Sequence, residues 1–289
     1  MVITMSECTH DCSSCSQNCG DRKPQSLQKP MNKYSHIKNV IGVVSGKGGV
    51  GKTAFTTLLT KVMIEDPQAG KLLVVDADPA LGLHYALGRK EIKTIGTVRD
   101  EILRVAEEGD RQAQEELADK VDYLTARVLD EGKDFSFLAM GHMESKGCFC
   151  SVNDLLQQAI SYLTNEFNTV LIDGEAGIEQ INRQVVEKID TLIVLTDSSF
   201  RGMKTISHIK EMRDEGLLPF CKKIGVVFNR TRNDVSKLEA FAKELGLEIF
   251  GAVPMDEEVE AYDSEGKSLL ELSENNPALE AVRQVYKKL

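Results

Sequence analysis

The residues best suited to chemistry form one short stretch, Gly46-Lys47-Gly48-Gly49-Val50-Gly51-Lys52-Thr53. An apolar run, Val40-Ile41-Gly42-Val43-Val44, precedes it, and Ala54-Phe55-Thr56-Thr57-Leu58-Leu59 follows. Strand, glycine-rich loop and helix is the context in which G-x-x-x-x-G-K-[ST] cradles phosphate. Glycines let successive N–H groups turn inward on phosphate oxygens, and the helix start adds its positive dipole end. Lys52 then reaches the terminal phosphates, and the Thr53 hydroxyl takes a place on Mg²⁺. Gly46 through Ala54 are the expected nucleotide-binding residues, with ATP/ADP and Mg²⁺ as cofactors.

Further candidates close other apolar runs. Leu72-Leu73-Val74-Val75 ends in Asp76-Ala77-Asp78-Pro79, and Thr169-Val170-Leu171-Ile172 ends in Asp173. Apolar runs without alternation fit strands of a parallel sheet covered on both faces. The carboxyl ends of such strands are where open α/β sheets put their chemistry. A strand-end acid that caps the next helix is a second account of Asp78. Asp190 to Thr196 and Lys223 to Arg230 read as further strands, the latter with Asn229 near its carboxyl end. An amide there can offer a base both a donor and an acceptor, or can serve as an ordinary turn residue.

The seven cysteines are grouped: Cys8, Cys12, Cys15 and Cys19 cluster, Cys148 and Cys150 pair, and Cys221 stands apart. Ligation of a metal or cluster explains such grouping better than disulfides do in a nucleotide-binding chain. Four thiols at C-x3-C-x2-C-x3-C are the usual complement of an iron–sulfur cluster or a tetrahedral zinc. A tail of free thiols is the plainer account. One C-x-C supplies two ligands, and a two-fold dimer would bring two such pairs together; on its own, buried packing or redox thiols account for the pair equally well. Cys221 precedes a strand and is expected to pack.

With its early lysine, the loop resembles the "deviant Walker A" form G-K-G-G-V-G-K-[ST]. That form marks the P-loop ATPases that include the nitrogenase iron protein, MinD, Mrp/ApbC and CooC. The resemblance implies that Lys47 crosses a homodimer interface to the partner's nucleotide, although spacing alone also allows a solvated surface charge. It implies that Asp76 and the Walker B-type Asp173 support Mg²⁺, and that Asp78 orients the attacking water. Gly177 is implied as a flexible sensor of the γ-phosphate. Asn229 is implied as a reader of the base, under a loop resembled by Val253-Pro254-Met255-Asp256.

Gly147-Cys148-Phe149-Cys150, following a run that ends in Met140-Gly141, is similar to the metal motif of the CooC-type nickel-insertion ATPases. Asp173-Gly174-Glu175-Ala176-Gly177-Ile178-Glu179 resembles their D-x-E-A-G-I-E segment. The resemblance spans nearly all of residues 38–289 and implies that Cys148 and Cys150 bind a metal between subunits under nucleotide control. Three features depart from it. Ala54 stands where relatives commonly carry Thr or Ser, and Ala80 where many carry Asn. The cysteine-rich tail is similar instead to extensions of Mrp/ApbC-like carriers, which generally use C-x-x-C for their bridging cluster.

Residues 1–36 are expected to form an appended tail and 37–289 an ATPase domain. Over residues 1–38, five Lys and Arg outnumber three Asp and Glu, whereas the remainder is acidic. The segment 91–119 reads as a polar helical insertion, Leu155 to Leu163 as an amphipathic helix after Cys150, and 278–289 as a helix with Leu279, Val282 and Tyr286 inward. The formal charge of −10 argues against nucleic acid as the main partner. No run approaches the ~18 apolar residues of a membrane span, and no signal segment is evident, so a cytoplasmic protein is expected.

The expected fold is α/β, a mostly parallel sheet with helices on both faces. The expected function is a dimeric ATPase that couples ATP binding and hydrolysis to a nickel, zinc or iron–sulfur site. It would mature a metalloenzyme client such as carbon monoxide dehydrogenase. The alternatives are an iron–sulfur cluster carrier of the Mrp/ApbC type and a MinD-like positioning ATPase. The last would need a basic amphipathic membrane helix, usually C-terminal.

Overall fold

The computed structural model describes residues 37–98, 100, 121–142, 158–160, 162–163, 166–176, 189–216, 221–232 and 234–289. Cys8, Cys12, Cys15, Cys19, Cys148, Cys150, Leu155, Leu156 and Gly177 lie outside them, as does 101–119 of the expected insertion.

In chain order the named elements are β1 (Asn39–Ser45), α1 (Lys52–Glu65), β2 (Leu72–Asp76), α2 (Leu83–Ala86) and α3 (Val121–Val128). There follow β3 (Asp130–Glu131), β4 (Ser136–Ala139), β5 (Thr169–Ala176), β6 (Thr191–Thr196) and α4 (Phe200–Asp214). The chain then forms β7 (Lys223–Thr231), α5 (Ser236–Glu244), β8 (Glu248–Pro254), α6 (Glu257–Glu265) and α7 (Pro277–Tyr286). The strands make one sheet in the order β3-β4-β2-β5-β1-β6-β7-β8. Every adjacent pair is parallel except the short β3–β4 hairpin.

Alternate residues of the apolar strands feed opposite faces, as the two-residue strand period requires. Ile41 and Val43 of β1, Val74 of β2, Ile193 of β6 and Val227 of β7 share a core with Phe55 and Leu59 of α1 and Leu279 and Val282 of α7. Leu192, Val194, Val226 and Phe228 face the other way, onto Ile206, Ile209 and Met212 of α4 and Ala242 of α5. Leu73, Val75, Val170 and Ile172 make a third cluster on that second face with Ile160 and Leu163. Helices therefore cover both faces, and the unbroken apolar runs are explained.

The chain leaves β1 through α1 and returns two places away as β2, so that β5 fills the gap between them. Asp76 pairs in register with Asp173 as a result. Asp173 is not the last residue of its strand, because β5 continues to Ala176.

Helix α7 begins with Pro277 at its first position, and the Asn276 side chain accepts the Ala278 and Leu279 N–H groups at 2.9 and 3.0 Å. This is a cap matched to a proline start. Leu279, Val282 and Val285 are fully buried and Tyr286 partly, so the apolar face of this helix is spent on the core. Leu279→Ala is expected to cost about 2–5 kcal/mol in urea unfolding, the range for a large buried aliphatic cut back to Ala. A cost below ~1 kcal/mol would show that the face is not core.

Cys221 packs against the α4–α5 side, and its thiol donates to the Lys223 carbonyl at 3.1 Å. Burial pushes that thiol up to about 11, so it is a poor thiolate and a packing residue. Among the described residues no helix is long and apolar enough to cross a membrane.

Candidate functional site

The P-loop leaves the carboxyl end of β1 and turns into α1 through Gly49 at φ +79 and Gly51 at φ +81. An added Cβ on Gly51 would come within 2.8 Å of the Asn229 amide nitrogen, so both the backbone turn and the close approach demand glycine. Helix α1 has no side-chain cap and no acid in its first turn. Its orphan N–H groups are left for an anion. By contrast, α4, α6 and α7 are capped by Ser199, Asp256 and Asn276.

Beneath the loop, buried Asp173 accepts from Lys52 Nζ through Oδ1 and from Thr53 Oγ1 through Oδ2, each at 3.0 Å. Thr56, one turn along α1 from Lys52, donates to the same Oδ1 at 3.0 Å. Asp76 is fully buried and accepts the Asp78 N–H at 3.1 Å and the Leu83 N–H at 3.0 Å, which ties α2 to the acid. Burial, then repulsion from Asp173, pushes Asp76 up to about 7. Burial raises Asp173 as well, against the pull of Lys52 and the two threonines.

Two buried acids thus sit in register, and the lysine beside them, Lys52, is bonded to Asp173. With the Thr53 hydroxyl they form an all-oxygen donor set carrying surplus negative charge, which suits a hard divalent cation. The set fits Mg²⁺, which would be held by Thr53 and Asp173 with Asp76 in support. Among the described residues no group of three His, Cys, Asp or Glu side chains could hold a metal by itself.

A cavity of about 560 Å³ opens over the loop, lined by Lys47 through Ala54 with Asp78, Tyr85, Asp263 and Lys267 among others. A smaller one of about 100 Å³ is lined by Asn229, Arg230, Val253, Pro254, Met255 and Asp256 among others. Gly51, Ala54 and Asp263 line both, so the two adjoin as the phosphate and base ends of a nucleotide would require. Asn229 is nearly buried, and its amide donates to the Val50 and Gly51 carbonyls at 2.8 and 3.2 Å. Its donor end braces the P-loop and its oxygen remains to meet a base. Arg230 takes φ +55 and donates to the Gly49 carbonyl at 3.3 Å and to Glu260 at 2.6 Å.

Asp78 is partly exposed, with Oδ2 3.9 Å from Lys52 Nζ and Oδ1 accepting the Ala80 N–H at 2.9 Å. Asp78 therefore closes a turn and does not cap the next helix as expected: Gly82 stands at the N-cap of α2 with no side-chain bond, the Leu83 N–H goes to Asp76, and one Asp78 oxygen is left for the cavity. Lys47 Nζ donates to Asp197 Oδ2 at 2.6 Å and to Ser199 Oγ at 3.2 Å, both of its own chain. Burial works against the Asp197 charge, yet the Lys47 and Ser199 hydrogen bonds hold that carboxyl below its ordinary range.

The structure gathers Lys47, Lys52, Thr53, Asp76, Asp78, Asp173, Asn229 and Pro254 along the carboxyl edge of the sheet. Sequence reasoning missed Thr56, Asp197, Ser199, Arg230 and Asp263. Asp197 directly follows β6 and could have been flagged as a strand-end acid; Asp263, within a helix, carries no comparable signal.

The family described as CobQ/CobB/MinD/ParA nucleotide binding domain matches residues 41–269. The chain is 40% identical over 254 residues to the uncharacterized ATP-binding protein MJ0685 of Methanocaldococcus jannaschii, covering 86% of this chain and 98% of that one. It is 26% identical to the carbon monoxide dehydrogenase accessory protein CooC of Rhodospirillum rubrum, covering 80% and 89% of the two chains. It is 27% identical to an iron–sulfur cluster carrier protein of Clostridium perfringens, covering 91% and 92%. Among solved structures, a ParA family ATPase from Chlorobium tepidum superposes with a TM-score of 0.64 at 18% identity, covering 86% and 97%, and so shares the fold.

Proposed function

The chain belongs to the CobQ/CobB/MinD/ParA nucleotide-binding domain family, and on that premise we propose that it is a homodimeric, cytoplasmic ATPase. Its nucleotide state would set a thiolate metal site that serves the maturation of a metalloenzyme. The observation that carries the ATPase reading is the pairing of a P-loop lysine and an Asp173 network with Asp78, which opens onto the same cavity. Lys52 and the uncapped start of α1 would bind the β- and γ-phosphates. Bound Mg²⁺ would neutralise charge on the phosphate oxygens. Asp78 would hold the water that attacks the γ-phosphorus, releasing ADP and phosphate.

The metal half of the reading is supported by the likeness to CooC and by Cys148 and Cys150. In an isologous dimer two C-x-C pairs supply four thiolates, enough to hold one nickel or zinc ion as cargo. ATP binding and metal binding would then be linked, each changing the other's affinity by the same factor. Anaerobically purified protein is expected to hold about half an equivalent of nickel or zinc per chain. Cys148→Ser with Cys150→Ser should abolish that metal and leave ATP binding unchanged. Full metal retention in the double variant would sink the assignment.

A second reading, an iron–sulfur carrier, is favoured by the comparable identity to the Clostridium protein and by the four-cysteine tail. Brown protein with stoichiometric iron and sulfide, lost when residues 1–36 are removed, would select it.

A further inference from the structure

Among the described residues three lysines line the cavity over the P-loop, Lys47, Lys52 and Lys267. Lys52 is bonded to buried Asp173 at 3.0 Å, and Lys47 to Asp197 at 2.6 Å. Lys267 comes to the cavity from a different element, just past the end of α6, and the mechanism above does not use it. Its backbone is fixed on both sides. Helix α6 stops at Gly266, which takes φ +66, and the Lys267 N–H turns back to the Tyr262 carbonyl at 2.9 Å. Ser268 Oγ donates to the Ala86 carbonyl of α2 at 3.0 Å, and Leu269 is buried in the core. The Lys267 side chain, by contrast, is held by surface contacts. Its Nζ lies 2.6 Å from a Glu265 carboxylate oxygen and 5.6 Å from the centre of the Tyr262 ring.

The residues shared by the two cavities fix where along a nucleotide this lysine stands. Gly51, Ala54 and Asp263 line the phosphate end and the base end alike, so the ribose and the first phosphate must lie beside them. Ala54 offers no hydroxyl there. Lys267 comes four residues after Asp263 and lines the phosphate cavity. We propose that Lys267 is a nucleotide-binding residue whose ammonium bonds the α-phosphate, the one nearest the ribose. The inference rests on the reading of this cavity as a nucleotide site.

The pairing with Glu265 does not stand in the way. Both partners are more than half exposed, so each keeps its hydration and the attraction between them is weak. A lysine presents three rotating donors on a flexible stem, and so can meet phosphate without a fixed geometry. The need for charge differs along the cavity. The terminal phosphates meet Lys52 and the start of α1, whereas the first phosphate lies next to the Asp263 carboxylate, whose repulsion a nearby ammonium offsets. A fixed backbone with a mobile cation at its tip suits that task.

The test is equilibrium titration of the full-length chain with adenosine, AMP, ADP and a non-hydrolysable ATP analogue. Lys267→Gln keeps a polar side chain of similar reach and removes the charge. It should weaken AMP, ADP and the analogue by a common factor of about five to ten and leave adenosine unchanged. The penalty should shrink as salt rises, and Lys267→Arg should recover most of it. A loss confined to the analogue, or one that grows with ligand charge, would place the ammonium elsewhere or reduce it to a general field. An equal loss for adenosine would make the residue structural. Each of these overturns the assignment, as does an unchanged series. The wild type tests the underlying reading separately. If it binds neither ADP nor the analogue, the nucleotide site falls and this inference with it. If it binds both and Lys267→Gln binds them equally well, Lys267 alone is removed from the site.

Discussion

Lys52→Ala is expected to lose nucleotide binding by at least about 100-fold and, separately, to destabilise the fold by about 3–5 kcal/mol. The second loss follows from what lies under the P-loop. Lys52 is the cation bonded to Asp173 at 3.0 Å, and Asp173 is in register with Asp76 on the next strand. Both acids are almost wholly shielded from water. Removing one partner of a buried pair strands the other, and here it strands it beside a second carboxylate. Protonation limits the damage, since Asp76 is already pushed up to about 7. Urea unfolding and nucleotide titration measure the two losses independently. Lys52→Met combined with Asp173→Asn removes the charge on both sides and should recover most of the stability without recovering nucleotide binding. The non-additivity of that cycle reports the coupling between the two residues. A Lys52→Ala protein as stable as the wild type would show that Asp173 is neutral when the lysine is absent and that the network contributes little.

The contrast between these acids and Asp197 shows what a sequence discloses. Asp76, Asp78 and Asp173 close apolar runs, and burial on both faces is what makes such runs apolar. The ends of the apolar runs were therefore visible, together with the chemistry at them, although β5 continues past Asp173 to Ala176. Asp197 also follows such a run, but its partner Lys47 is 150 residues away. Their meeting depends on β6 lying beside β1, a pairing that no local pattern encodes. Strand β8 was hidden for a different reason. Its sequence, Glu-Ile-Phe-Gly-Ala-Val-Pro, mixes glycine and proline into a short edge strand, composition that ordinarily argues against a strand. The structure accounts for the glycine: a Cβ on Gly251 would approach Val285 of α7 to 2.9 Å. On β7, Gly225 leaves the space that the Phe250 ring fills, since a Cβ there would lie 2.3 Å from it. Both choices are set by partners distant in the chain. Asn229 was legible as a polar strand end, whereas its bond to the P-loop carbonyls follows only from the placement of β7.

Asp78 is where the two accounts of a strand-end acid can be separated. Oδ1 caps the Ala80 N–H, and the turn it closes includes Leu81 at φ +54, a conformation disfavoured for a side chain of that size. Oδ2 faces Lys52 at 3.9 Å across the phosphate cavity. A turn cap needs only an acceptor, so Asp78→Asn should preserve the turn. Holding and polarising a water for attack on phosphorus needs the carboxylate charge, which Asn lacks. Asp78→Ala and Asp78→Asn are therefore both expected to bind ATP within about threefold of the wild type and to lose hydrolysis by about 100-fold or more. Single-turnover phosphate release, read beside equilibrium binding of ATP, makes the comparison. Loss in Asp78→Ala with wild-type turnover in Asp78→Asn would assign the residue to the turn alone. The water-positioning group would then have to be sought elsewhere along the same sheet edge.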